Sequence, residues 1–106
     1  MAKASVSNPA LREGRGDSLQ LTKFMFYVYL LLSLKDNKFY IGYTSDLRIR
    51  FKQHINGEVE ATKYRRPLKL IYYESYLEKN MARERERKLK QFGSAYNGLM
   101  KRLGYK

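Results

Sequence analysis

Cysteine is absent from this chain of 106 residues, which excludes disulfides, thiolate metal sites and thiol nucleophiles. Stability has to come from packing. Proline occurs twice, as Pro9 and Pro67, both outside the strongly periodic segments. Acidic residues are scarce: 10 Asp and Glu stand against 22 Lys and Arg, a formal net charge of +12. Such a surplus suits a polyanionic partner. Long apolar runs are missing too. The longest, Phe24 to Leu32, is about half of the roughly 18 to 20 residues that cross a bilayer as a helix. No membrane span is expected, and the N-terminal residues lack the apolar stretch of a secretory signal, so cytoplasmic residence is the default expectation.

What is present is enough for a packed core. Hydrophobic residues make up 43% of the chain and aromatics 14%, with 10 Tyr and 5 Phe, too apolar for a disordered basic tail. The length allows one domain and not two independent cores. Residues 1–23 mix small residues and scattered charge without an apolar period, so they read as a flexible N-terminal extension, with the domain over 24–106. The extension carries a net charge of two, leaving ten on the domain.

Two apolar and aromatic stretches, Phe26 to Leu32 and Phe39 to Tyr43, flank Lys35-Asp36-Asn37-Lys38 and predict a β-hairpin turning at Asp36-Asn37. Alternation puts Phe26, Val28, Leu30 and Leu32 on one face and Tyr27, Tyr29 and Leu31 on the other, both covered. Thr44-Ser45-Asp46 supplies capping oxygens for a helix to about Ile55. On its wheel Leu47, Phe51 and Ile55 face the core, with Arg50 and His54 at the border. Gln53 points away. Gly57 can end this helix. Leu68 to Tyr76 reads as a third strand, Glu78 to Gln91 as a charged helix, and Ser94 as the cap of a last short helix stopped by Gly104. The predicted fold is α/β: one small three-stranded sheet packed with helices, in the order strand, strand, helix, strand, helix, helix. Strand direction is left open by the connection lengths.

Some residues point to an anion site. Arg50 and His54, four apart, are neighbours on one helix face, and a guanidinium offers the fork that matches phosphate oxygens. Glu86 falls on the narrow apolar side of its helix, where a carboxylate needs a partner that a metal ion or a basic neighbour (Arg83, Arg85 or Lys90) would supply. Lys63, Arg65 and Arg66, interleaved with Tyr64, form a loop cluster suited to a nucleic-acid backbone. The run from Arg83 to Lys90 reads instead as a solvated helix face. Taken singly, Tyr29 and Tyr40 are ordinary strand aromatics, and Arg50, His54 and Glu86 have structural explanations. Their order gives them another.

Tyr27-Val28-Tyr29, followed by Tyr40-Ile41-Gly42, Asp46-Leu47-x-x-Arg50-x-x-x-His54 and Ala82-x-x-x-Glu86, resembles the GIY-YIG nuclease family over about residues 25 to 92. Tyr27 departs from the namesake glycine of the first triplet. The resemblance implies Tyr29 and Tyr40 as active-site tyrosines, Arg50 as the phosphate-binding arginine, His54 as a base or proton shuttle, and Glu86 as the carboxylate for one divalent metal, Mg²⁺ or Mn²⁺. It implies a small stand-alone endonuclease that hydrolyses DNA, with structure-specific or repair-related substrates. The base is either His54 or a tyrosine. A rival expectation is a module that binds DNA or RNA without turnover.

Overall fold

A computed structural model describes residues 25–105, and the expected extension over residues 1–23 lies outside them. The elements are strands β1 (Phe26–Ser33) and β2 (Phe39–Thr44), helix α1 (Leu47–Ile55), a 3-10 turn (Lys63–Arg65), strand β3 (Leu68–Tyr76), and helices α2 (Lys79–Lys90) and α3 (Ser94–Leu103). The sheet runs β2-β1-β3, with β1 antiparallel to both neighbours. The apolar strand thus takes the centre, where both faces are covered. Asn37 accepts the positive φ of 63° that the β1–β2 turn needs.

The two faces of β1 have separate partners. Val28 and Leu30 pack with Ile41, Ala82, Leu89, Leu99 and Met100, the core beneath α2 and α3. Tyr29 and Leu31 pack with Leu68 and are flanked by Leu47, Phe51, Leu70 and Tyr73. A bulge in β3 serves this division. Leu30 pairs with Tyr72 but Leu31 pairs with Leu70, so Ile71 is the extra residue and the alternation of β3 reverses across it. Leu68 and Leu70 therefore face α1, whereas Tyr72, Glu74 and Tyr76, of the same parity, face α2.

On that α2 face the structure buries a carboxylate that sequence patterning did not single out. Arg85 donates from Nε and Nη2 to Glu74 at 3.0 and 2.9 Å, and the hydroxyls of Tyr72 and Tyr76 donate to the same group. Burial pushes the Glu74 pKa up, but these donors outweigh it and the net shift is downward. The carboxylate is a charged brace that fixes α2 against the sheet.

Two helix expectations shift. Ile55 is exposed although the wheel turned it inward, because α1 ends there and Asn56 caps it. The last helix begins at Ser94 with Gly93 as its cap, and Ser94 makes no capping bond. Asp46 does cap α1, accepting from the Ile49 amide at 3.1 Å, and Gly104 stops α3 with a φ of 87°.

Candidate active site

The candidate site is built where β1, β2, α1 and α2 meet. Tyr29 lies at the centre of the sheet, opposite Gly42 of β2 in register. A Cβ on Gly42 would come within 2.3 Å of the Tyr29 Cζ and Oη atoms, so only glycine lets the phenol lie across β2. The glycine of the second triplet is thus a steric requirement of the tyrosine in the first.

The Tyr29 hydroxyl lies 2.8 Å from His54 Nε2, and His54 Nδ1 lies 2.7 Å from Thr62 Oγ1. His54 has 0% exposure, so it is deeper than the border position expected of it. Burial, with the Arg50 charge beside it, lowers the His54 pKa to about 4. At neutral pH the ring is uncharged and donates at one nitrogen while accepting at the other. Burial raises the Tyr29 pKa to about 12, with Arg50 opposing and the Tyr40 and Glu86 charges adding to the rise.

Tyr40 packs near both groups, its ring centroid 6.5 Å from that of Tyr29 and 5.4 Å from that of His54. Arg50 is half-buried, and its Nη1 donates to Gln53 Oε1 at 3.0 Å. Gln53 was expected to point away, but it turns back to hold the guanidinium. Glu86, with its side chain 17% exposed, pairs with Lys90, whose Nζ lies 2.9 Å from Oε2. Tyr29, Tyr40 and His54 pack together, and Lys90, the partner of Glu86, lies 6.0 Å from the Tyr40 ring centroid.

Thr62 and Gln53 carried no sequence signal as site residues. Thr62 is eight positions beyond His54, across a loop whose path spacing does not reveal. That loop is tied to the sheet by Ser33, whose hydroxyl donates to the Arg65 carbonyl at 2.7 Å.

The cation cluster after this loop has other partners. Arg65 donates from Nε to Asp36 at 2.8 Å, Arg66 donates to the Lys63 and Ile55 carbonyls, and Lys63 pairs with Glu60 at 3.2 Å. An open groove of about 440 Å³ lies here, with Lys35, Lys63, Tyr64 and Arg66 on its walls. Tyr64 is 74% exposed.

Among the described residues no group of three or more His, Cys, Asp or Glu could hold a metal. Glu86 can offer one carboxylate at the site. That donor set fits a hard cation such as Mg²⁺ or Mn²⁺, which keeps several waters and takes phosphate oxygens alongside one carboxylate. Among the described residues, no helix is long and apolar enough to cross a membrane.

Comparison with known proteins shows the family. The family model described as the GIY-YIG catalytic domain matches residues 25–99, and the chain belongs to that family. The family implies nuclease-type activity on nucleic acid. Among its relatives, UPF0213 protein YazA of Bacillus subtilis is 41% identical over 69 residues, covering 64% of this chain and 67% of the relative. UPF0213 protein SSP2268 of Staphylococcus saprophyticus is 39% identical over 67 residues, 62% of this chain and 80% of the relative. UPF0213 protein CPE1444 of Clostridium perfringens is 41% identical over 68 residues, 63% and 72% respectively. No solved structure gives a significant match.

Proposed function

We propose that the chain is a divalent-cation-dependent endonuclease that hydrolyses DNA phosphodiester bonds in the cytoplasm, with branched, nicked or otherwise irregular DNA as substrate, as repair would require. The observation that carries this reading is the Tyr29 hydroxyl, hydrogen-bonded to a neutral buried His54 and influenced by both Arg50 and Glu86.

In this reading Arg50 grips the scissile phosphate, with Gln53 fixing the guanidinium. Tyr40, half-buried at the edge of the cluster, helps to orient the attacking water. Tyr29 takes the proton of that water as it passes its own to His54 Nε2, which is unprotonated when Nδ1 holds the ring proton towards Thr62. The low His54 pKa keeps the ring ready to accept at neutral pH, but it also makes the transfer costly unless phosphate attack proceeds with it. Glu86 would hold a single Mg²⁺ or Mn²⁺, and an ion there would supply positive charge to the phosphate oxygens and the leaving group. Lys63, Arg65 and Arg66 track the DNA backbone from the neighbouring loop, with Arg65 also holding that loop to Asp36.

Incubation with supercoiled, branched and single-stranded DNA, with and without Mn²⁺, tests this reading. Cleavage that needs the cation is expected, and Glu86→Ala should remove it, by about 100-fold or more, while DNA affinity measured without the cation stays near wild type. Equal cleavage by variant and parent would remove Glu86 from the mechanism. Strongly salt-dependent binding of DNA or RNA with no product would favour the non-catalytic module.

A further inference from the structure

Helix α2 carries two glutamates with basic partners, and only one pair belongs to the site. Glu84 pairs with Arg87 and Lys88 on the outer face, where all three side chains are at least half exposed, at 50%, 58% and 56%. This is an ordinary solvated set that contributes little. Glu86 is 17% exposed, acts on Tyr29, and meets Lys90 at 2.9 Å. Lys90 Nζ also lies 6.0 Å from the Tyr40 ring centroid. One ammonium therefore touches the candidate cation ligand and stands over a candidate active-site tyrosine.

We propose that Lys90 is a positioning residue that guards the Glu86 carboxylate against free divalent cations and releases it when a DNA phosphate takes over the ammonium. The inference rests on Glu86 being the cation ligand. An ammonium at hydrogen-bond distance offsets the charge that the carboxylate presents to a second cation, and it repels that cation directly. A phosphodiester held by Arg50 changes both terms. It gives Lys90 another anion to pair with, and it brings the cation an oxygen ligand. Cation and DNA then favour each other's binding, and such coupling is reciprocal. Lys90 has the freedom this needs, since its side chain is 48% exposed on a flexible four-carbon stem.

Mn²⁺ titration of the DNA-free full chain, read by the electron paramagnetic resonance of free Mn²⁺, tests this with a signal independent of cleavage. Lys90→Met should bind Mn²⁺ roughly fivefold tighter than wild type or better, because one positive charge has gone from beside the carboxylate. Lys90→Arg, which keeps the charge, should bind as wild type does. In cleavage assays at saturating Mn²⁺, Lys90→Met should raise KM for DNA more than it lowers kcat, a split that loss of helix stability alone would not give. Unchanged or weaker Mn²⁺ binding by Lys90→Met would overturn the inference. Lys90→Gln repeats the test without charge should the Met variant fold poorly. Glu86→Gln separates the two levels: it should lose Mn²⁺ binding, and if it does not, the cation-ligand reading falls and takes the Lys90 inference with it. If Glu86→Gln loses binding while Lys90→Met and Lys90→Gln match wild type, only the inference about Lys90 falls.

Discussion

His54 and Glu74 lie on opposite faces of the sheet, the first buried and the second largely so, and the protein treats them in opposite ways. His54 sits between Tyr29 and Thr62 without a charged partner bonded to it, so burial wins and the ring is held neutral. Glu74 sits between Tyr72, Tyr76 and the forked guanidinium of Arg85, so pairing wins and the carboxylate is held charged. The tyrosine-rich setting is shared; burial decides the outcome at His54, with Arg50 adding to it, and Arg85 decides it at Glu74. Arg50 repels a proton from His54, whereas Arg85 lies in direct contact with an acid and stabilises its charge. A neutral imidazole can accept a proton in a reaction, and a paired carboxylate cannot easily do so. The difference separates a reactive cluster from a structural brace.

That contrast can be broken from either side. The largest effect is expected from Gly42→Ala, whose new methyl would collide with the Tyr29 phenol; displacing the ring also strips His54 of a partner. A loss of about 3 kcal/mol by chemical denaturation is expected, and a loss under about 0.5 kcal/mol would show that the phenol has room to move. On the other face, Glu74→Ala leaves Arg85 half-buried without its acid and should cost about 2 to 3 kcal/mol by the same measurement. Its main consequence for cleavage should be indirect, through looser docking of α2.

Acidification separates the two clusters without a large steric change. The folded-state pKa of His54 is about 4, below its ordinary value of 6.5, so between those values the unfolded chain binds a proton that the folded chain refuses. Its contribution is therefore full above pH 6.5 and is lost as pH falls towards 4, by about 1.4 kcal/mol per pH unit within that window. Glu74 is also shifted downward, from 4.5, so its contribution is full above that value and is lost at still lower pH. Denaturation curves across this range should show His54→Gln flattening the upper window alone. A slope unchanged by that variant would mean that His54 is not held neutral by the fold. A smaller effect, about 1 to 2 kcal/mol, is expected for Thr62→Val, which deprives His54 Nδ1 of its partner. The smallest belongs to Glu84→Ala, whose ion pairs face solvent, and it should leave the denaturation midpoint unchanged.

Most of the fold was legible because it is encoded locally. Alternation along β1 assigned its two faces, Asn37 marked the turn, and Asp46 marked the start of α1. The residues proposed for the site stand out through their joint order along the chain, whereas each of them taken singly has a structural explanation. What escaped depends on contacts between distant segments. Thr62 meets His54 because the loop returns to the end of β1, where Ser33 secures it. Glu74 has the parity of Leu70, and only the bulge at Ile71 sends the two to opposite faces. Arg65 looked like a free cation, but the return of its loop brings Asp36 within 2.8 Å. Gln53 faces away on an ideal wheel and is turned back by the reach of Arg50.

The central claim is that Tyr29 and His54 work as one proton-accepting unit, and a double-variant comparison of single-turnover DNA cleavage in saturating Mn²⁺ tests it most directly. Tyr29→Phe and His54→Gln should each lower the rate by about 100-fold or more, and the combined variant should fall no further than the worse of the two. Losses that multiply in the combined variant, or cleavage near the wild-type rate in either single variant, would contradict the claim.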